Sequence, residues 1–174
     1  PVNDAPVNTV PVSIAVTEDV ATAITGISVN DVDAGSSTMN VTLSAPTGTL
    51  AALSSGGVTV TGSGSGSVLL SGTQTNINAF IAASNVSYLT AANANGSVTL
   101  TVTTNDLGNT GTGGSLTDVD TVTLNITAVN DAPVNTLPAS YTTNEDTNIS
   151  LTGLSIADVD AASGAMTVTL NVAS

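Results

Sequence analysis

The sequence predicts an all-β chain whose short strands pack as a sandwich. Three observations carry that expectation. Apolar and small polar residues alternate at period two, Val and Thr dominate the alternating stretches, and turns of Gly, Ser, Asn and Asp separate them with none of the helical spacing of a βαβ unit. Taken in order, strands are expected near 12–17, 21–29, 38–44 and 57–61. They continue near 66–71, 85–89, 97–103 (Val98, Leu100, Val102) and 120–128 (Val122, Leu124, Ile126). One stretch breaks the pattern: Ile77, Phe80, Ile81 and Ser84 recur at helical spacing, with Thr73 or Thr75 available as N-cap, so a short helix is expected to close one end. Phe80, the single Phe, reads as the plug of that helix in the core.

Composition bounds what such a chain does. It has 174 residues, 41% hydrophobic, with a mean hydropathy of +0.37, so it is expected to fold in spite of 13 Asp and Glu and a net charge of −13. Aromatic residues are only 2%, which leaves Val, Ile, Leu and small side chains to build thin, close-packed layers. Lys, Arg and His are absent, which excludes ion pairs between side chains, histidine bases, Schiff-base lysines, arginine anion clamps and a nucleic-acid footprint. Cys is absent as well, removing disulfides, thiolate nucleophiles and soft metal sites. No apolar run approaches membrane-spanning length, so no membrane insertion is expected, and the first residues lack the basic and apolar regions of a signal peptide. The chain therefore reads as an internal part of a longer one.

Catalysis is not expected. Ser and Thr have no basic partner, and paired carboxylates of the glycosidase kind call for a sugar cleft, whereas Phe80, Tyr88 and Tyr141 are dispersed.

Self-comparison divides the chain. Val2-Asn3-Asp4-Ala5-Pro6-Val7-Asn8-Thr9 recurs, 127 residues on, as Val129 to Thr136, and the register holds without a gap. Glu18-Asp19 returns as Glu145-Asp146, Asp31-Val32-Asp33 as Asp158-Val159-Asp160, and Met39, Val41 and Leu43 as Met166, Val168 and Leu170. Residues 1–128 are expected to form a complete repeat and 129–174 the first part of the next, joined through Asn130-Asp131-Ala132-Pro133. A period of this length is a whole domain rather than a solenoid unit.

The carboxylates gather at expected strand ends, with none between Val41 and Asn105. An extended Asp-x-Asp sets both side chains on one face about 7 Å apart, close enough to share an ion or hold two neighbouring ones. Like charges so placed repel unless a cation or solvent screens them, and hard oxygen ligands without Cys or His favour Ca2+ over zinc or copper. The plainer reading is that these acids solubilise the surface and start turns; no complete EF-hand loop is present.

The Val-Asn-Asp-Ala-Pro-Val joint, Glu18-Asp19 before Gly26, Asp31-Val32-Asp33-Ala34, Asn76-Ile77-Asn78-Ala79, Thr103-Thr104-Asn105-Asp106 and Asp118-Val119-Asp120 together resemble the cadherin-like tandem repeats of giant bacterial surface and biofilm adhesins. The resemblance spans residues 2–128 and restarts at 129. It implies a cadherin- or immunoglobulin-like Greek-key sandwich, repeated end to end, with calcium in the junctions and an extracellular, cell-surface location. Carried over by motif, Glu18, Asp118, Asp120, Asn130, Asp131, Asp158 and Asp160 would surround the complete junction with Asp106 near it, and Asp4, Asp31 and Asp33 would serve the preceding one. The usual Asp-x-Asn-Asp-Asn joint is here shortened to Asn130-Asp131-Ala132-Pro133, leaving one to three ions per joint open.

The implied function is a calcium-stiffened extender whose partners are neighbouring repeats of the same polypeptide, with other cells, surfaces or matrix engaged through other domains. Two alternatives come from the same residues. One is a recognition module for carbohydrate, ice or another cell on the Thr99, Thr101, Thr103, Thr121 and Thr123 face, and the other is a filament or matrix subunit that lends strands between chains.

Overall fold

The computed structural model describes residues 2–109 and 111–171, and the chain forms two compact units, Pro1–Val129 and Asn130–Ser174. Unit 1 is largely β-sheet with one short helix. Its strands are β1 (Val7–Thr9), β2 (Ser13–Thr17), β3 (Thr22–Ala23), β4 (Ser28–Asn30), β5 (Thr38–Ser44), β6 (Thr49–Ala52), β7 (Thr59–Thr61) and β8 (Ser67–Thr73), followed after helix α1 (Gln74–Ala82) by β9 (Val86–Leu89), β10 (Gly96–Asn105) and β11 (Thr117–Thr127).

Period-two patterning produces a six-stranded sheet in the order β2-β11-β10-β5-β8-β7. All its pairings are antiparallel except one: β2 runs parallel to β11, with Ser13 opposite Thr123 and Thr17 opposite Thr127. The sheet is therefore mixed. A three-stranded antiparallel sheet, β3-β9-β6, and the antiparallel pair β1-β4 complete the unit. Leu43, Val68, Leu100 and Leu124 from the large sheet meet Leu50, Val86 and Tyr88 from the small one in a single buried cluster, with Ile77, Phe80 and Ile81 of α1 added to it. Burying such aliphatic side chains contributes about 1.5–3 kcal/mol each, and this cluster is the main source of stability in a chain without disulfides or ion pairs.

One expected strand is split, and two further strands were not expected. The stretch 21–29 is not one strand but two, because Gly26 turns the backbone to φ +77°, and an added Cβ there would meet the Pro11 ring at 3.6 Å. Residues 49–52 and 7–9 form β6 and β1, both too short for alternation to register. The helix is capped by Thr73, whose Oγ1 accepts the Asn76 backbone N–H at 3.2 Å, while Ser84 lies beyond its end. Thr73→Ala is expected to cost unit 1 about 1 kcal/mol, read as a lowered urea midpoint without change of slope.

Unit 2 repeats the local geometry of unit 1. Strands β12 (Val134–Thr136) and β13 (Ser155–Ala157) pair with Val134 opposite Ala157, as Val7 stands opposite Asn30 in β1-β4. Asp146 and Gly153 take φ of 57° and 75°, against 58° and 77° at Asp19 and Gly26. Coverage is what differs. In unit 1, β5 lies between β8 and β10, and its Met39, Val41 and Leu43 are fully buried; the matching Met166, Val168 and Leu170 are 44%, 52% and 59% exposed, since residues 130–171 supply no flanking strands. Among the described residues no helix is long and apolar enough to cross a membrane.

Candidate functional site

The acidic residues of unit 1 divide between its two ends. At the end where the chain comes in, Val2 bridges to Thr112, and the Asn3 N–H donates to the Thr112 carbonyl at 3.0 Å. The Asn3 amide donates to Asp106 Oδ2 and, at 3.0 Å, to the Gly114 carbonyl. Gly111 permits this approach, because a Cβ on it would stand 2.6 Å from the Asn3 nitrogen and its φ is +92°. Asp106 Oδ1 also accepts the N–H groups of Gly108 and Leu116, at 2.9 and 2.7 Å. Burial pushes the Asp106 carboxyl up, but the hydrogen bonds from Leu116, Asn3 and Gly108 outweigh it and hold the group below its ordinary 3.8.

A group with a depressed folded pKa stabilises the fold above its unfolded value and loses that contribution as pH falls through the folded one. The Asp106 contribution is thus present above pH 3.8 and disappears below it. Asp106→Asn is expected to cost about 1–2 kcal/mol at neutral pH. It should also flatten the loss of stability on acidification, checked by thermal melts between neutral pH and roughly pH 3.

Beside this latch the chain is held by a second set of carboxylates. The Asp4 N–H donates to Asp33 Oδ2 at 2.7 Å, while Asp31 Oδ1 accepts the N–H groups of Asp33 and Ala34 at 2.9 and 3.0 Å. Unit 2 uses the same pattern: the Asp131 N–H donates to Asp160 Oδ2, and Asp158 Oδ1 accepts from Asp160 and Ala161 at 2.9 and 3.0 Å. Each Asp-x-Asp therefore organises its own turn and ties down the Asn-Asp segment at the start of its own unit. Asn130 donates from its amide to the Asp131 carbonyl at 3.1 Å. Asp118 Oδ2 accepts the Asn8 N–H at 2.7 Å, and the buried Thr104 hydroxyl donates to Asn8 Oδ1.

Glu18 stands at the opposite end. It follows β2, its N–H donates to the Thr127 carbonyl at 3.0 Å, and its Oε2 accepts the Val129 N–H at 3.0 Å. The side chain is 1% exposed, and its second oxygen, Oε1, is buried with no hydrogen-bond partner. Asp19, in the left-handed region, donates its N–H to Thr90 Oγ1 at 3.3 Å.

The expected grouping of Asp118, Asp120 and Asp106 with Glu18 is therefore corrected. Asp118 and Asp120 lie at the start of β11 on its inward face, whereas Glu18 meets Val129 just past its other end, eleven positions or about 35 Å along the strand from Asp118 and nine from Asp120. Asp106 sits with Asn3 and belongs with Asp4, Asp31 and Asp33. Among the described residues, no three carboxylates are gathered as a metal cluster. Asn3, Asn8 and Thr104 are not among the expected site residues, although Asn3 and Asn8 lie in the recurring segment and Thr104 in the Thr103-Thr104-Asn105-Asp106 motif.

The two ends differ in what they attract. Asn8 Nδ2 is also buried without a partner, but it is a donor and has no attraction for a cation. Glu18 Oε1 is an acceptor, the one kind of orphan that a cation satisfies. The chain matches no family model, no curated protein and no solved structure.

Proposed function

We propose that the chain is a structural spacer segment of an extracellular adhesive protein, built from sandwich domains in tandem and stiffened by calcium at the end of unit 1 marked by Glu18. The observation that carries this reading is the Glu18 carboxylate, buried with Oε1 unpartnered in a chain that contains no cationic side chain. Burying a carboxylate oxygen without a partner costs several kcal/mol, and a hard divalent cation with oxygen ligands offsets that cost. Glu18 fits such an ion as a direct ligand. Since no carboxylate cluster surrounds it among the described residues, carbonyl oxygens and water would complete the shell, as calcium's preference for six to eight flexible oxygen ligands allows.

Calcium supplies a fixed positive charge; the chain's own residues do the rest. Glu18 grips the Val129 N–H and the Thr127 carbonyl, so an ion held on its free oxygen would stiffen the path of residues 127–129 as they leave unit 1. The repeated Asp4–Asp33 and Asp131–Asp160 contacts, in the same register 127 residues apart, support a tandem design in which each joint is tied to the unit that follows it. Small-angle scattering of the chain in calcium and in chelator tests the reading. A longer, less flexible particle with calcium is expected, with Glu18→Gln behaving alike in both. Dimensions that ignore calcium in the unsubstituted chain would overturn it.

A further inference from the structure

Resting on the reading that the chain is a spacer, we propose that unit 1 bears tension, and that its resistance to stretching resides in the parallel seam between residues 8–18 and residues 118–129. The chain comes in beside Asp106 at one end and leaves at Val129 at the other. Between those points the incoming segment runs alongside β11 in the same direction. The seam is tied along its whole length: Asn8 N–H to Asp118 Oδ2 at 2.7 Å, Thr123 N–H to the Val12 carbonyl at 3.2 Å, the five-residue ladder of β2 with β11, Glu18 N–H to the Thr127 carbonyl, and Val129 N–H to Glu18 Oε2.

Tension applied through the two ends of unit 1 pulls these partners in opposite directions along their common axis. The hydrogen bonds are then loaded together, in shear. An antiparallel pair pulled from its open end loses its bonds one at a time. Packing adds a second resistance. Val16 is buried beside Leu124 and Ile126, and because side chains alternate, a slip of one residue turns Val16 toward water. The barrier to forced unfolding is a rate property, distinct from equilibrium stability.

The test is single-molecule force spectroscopy of the full chain, in chelator so that calcium contributes nothing. The chain has no cysteine, so handles can be placed at will. In one geometry the two termini are pulled. In the other, Ser13→Cys and Thr123→Cys carry the handles; these exposed residues are opposite each other in the ladder, so the same fold is peeled rather than sheared. Pulling the termini is expected to require a severalfold higher force and to release roughly 400 Å of chain for residues 13–127. Ile14→Pro removes an N–H that the parallel ladder directs at β11, as the Val12 carbonyl and the Glu18 N–H are directed, and is expected to lower the terminal force toward the peeling value. Equal forces in the two geometries would overturn the proposal, which needs no folded variant beyond the cysteine pair. Failure of the spacer reading would look different: the force anisotropy would persist while scattering dimensions ignored calcium.

Discussion

Calcium at about 10 mM is expected to stabilise unit 1 by roughly 1.4–2.7 kcal/mol over chelator, for a dissociation constant of 10⁻⁴–10⁻³ M typical of extracellular modules. In a domain of this size such a gain raises the midpoint by several degrees. The expectation follows from Glu18, whose Oε1 is buried without a donor while Oε2 holds the Val129 N–H. Without a cation the native state holds a buried carboxylate oxygen that has no partner; a bound cation would supply one, and the unfolded chain forms no such site. Glu18→Gln removes the charge and keeps the shape. The variant is expected to be no less stable than the unsubstituted chain in chelator, and to lose the calcium increment. Calorimetry of both proteins in calcium, magnesium and chelator decides it. Magnesium is expected to give the smaller increment, because it demands a compact octahedron and dehydrates reluctantly. An equal calcium increment in Glu18→Gln would place the ion elsewhere.

The same residue shows which parts of the architecture are legible in the sequence. Alternation located the long strands well, since 38–44, 97–103 and 120–128 each hold enough inward apolar positions to show a period, and the Ile77-Phe80-Ile81 spacing located the helix. Strands of three or four residues, such as β1 and β6, contain too few positions for any period, and Gly26 breaks a run whose apolar pattern alone reads as continuous. Acidic positions were legible as positions, not as places. Asp118 and Val129 are near neighbours in sequence, yet the strand between them separates them by its whole length. The parallel pairing of β2 with β11, which puts Glu18 beside Thr127, depends on tertiary contacts that no local pattern encodes. Turn chemistry also competed with metal chemistry. Asp31 and Asp158 each accept two backbone N–H groups on one oxygen, which is the turn-starting role of an acidic residue.

Leu43→Ala is expected to destabilise unit 1 by about 2.7–5 kcal/mol, and Leu170→Ala to change the stability of the chain by less than about 1 kcal/mol. The two leucines hold the same place in the repeat, so residue type and local sequence are controlled and only coverage differs. Leu43 is fully buried in β5, where its backbone faces Val102 on one side and Val68 on the other; Leu170 is 59% exposed. Truncating the first leaves a cavity that neighbours from three strands must fill, and a close-packed core of aliphatic side chains relaxes only in part. Truncating the second removes surface that is already largely in water. Denaturant unfolding followed by far-ultraviolet circular dichroism measures both. Similar losses at the two sites would mean that unit 2 buries its apolar face in solution against something other than its own described strands. The measurement thus reads whether Met166, Val168 and Leu170 are as uncovered in solution as their exposures of 44%, 52% and 59% indicate.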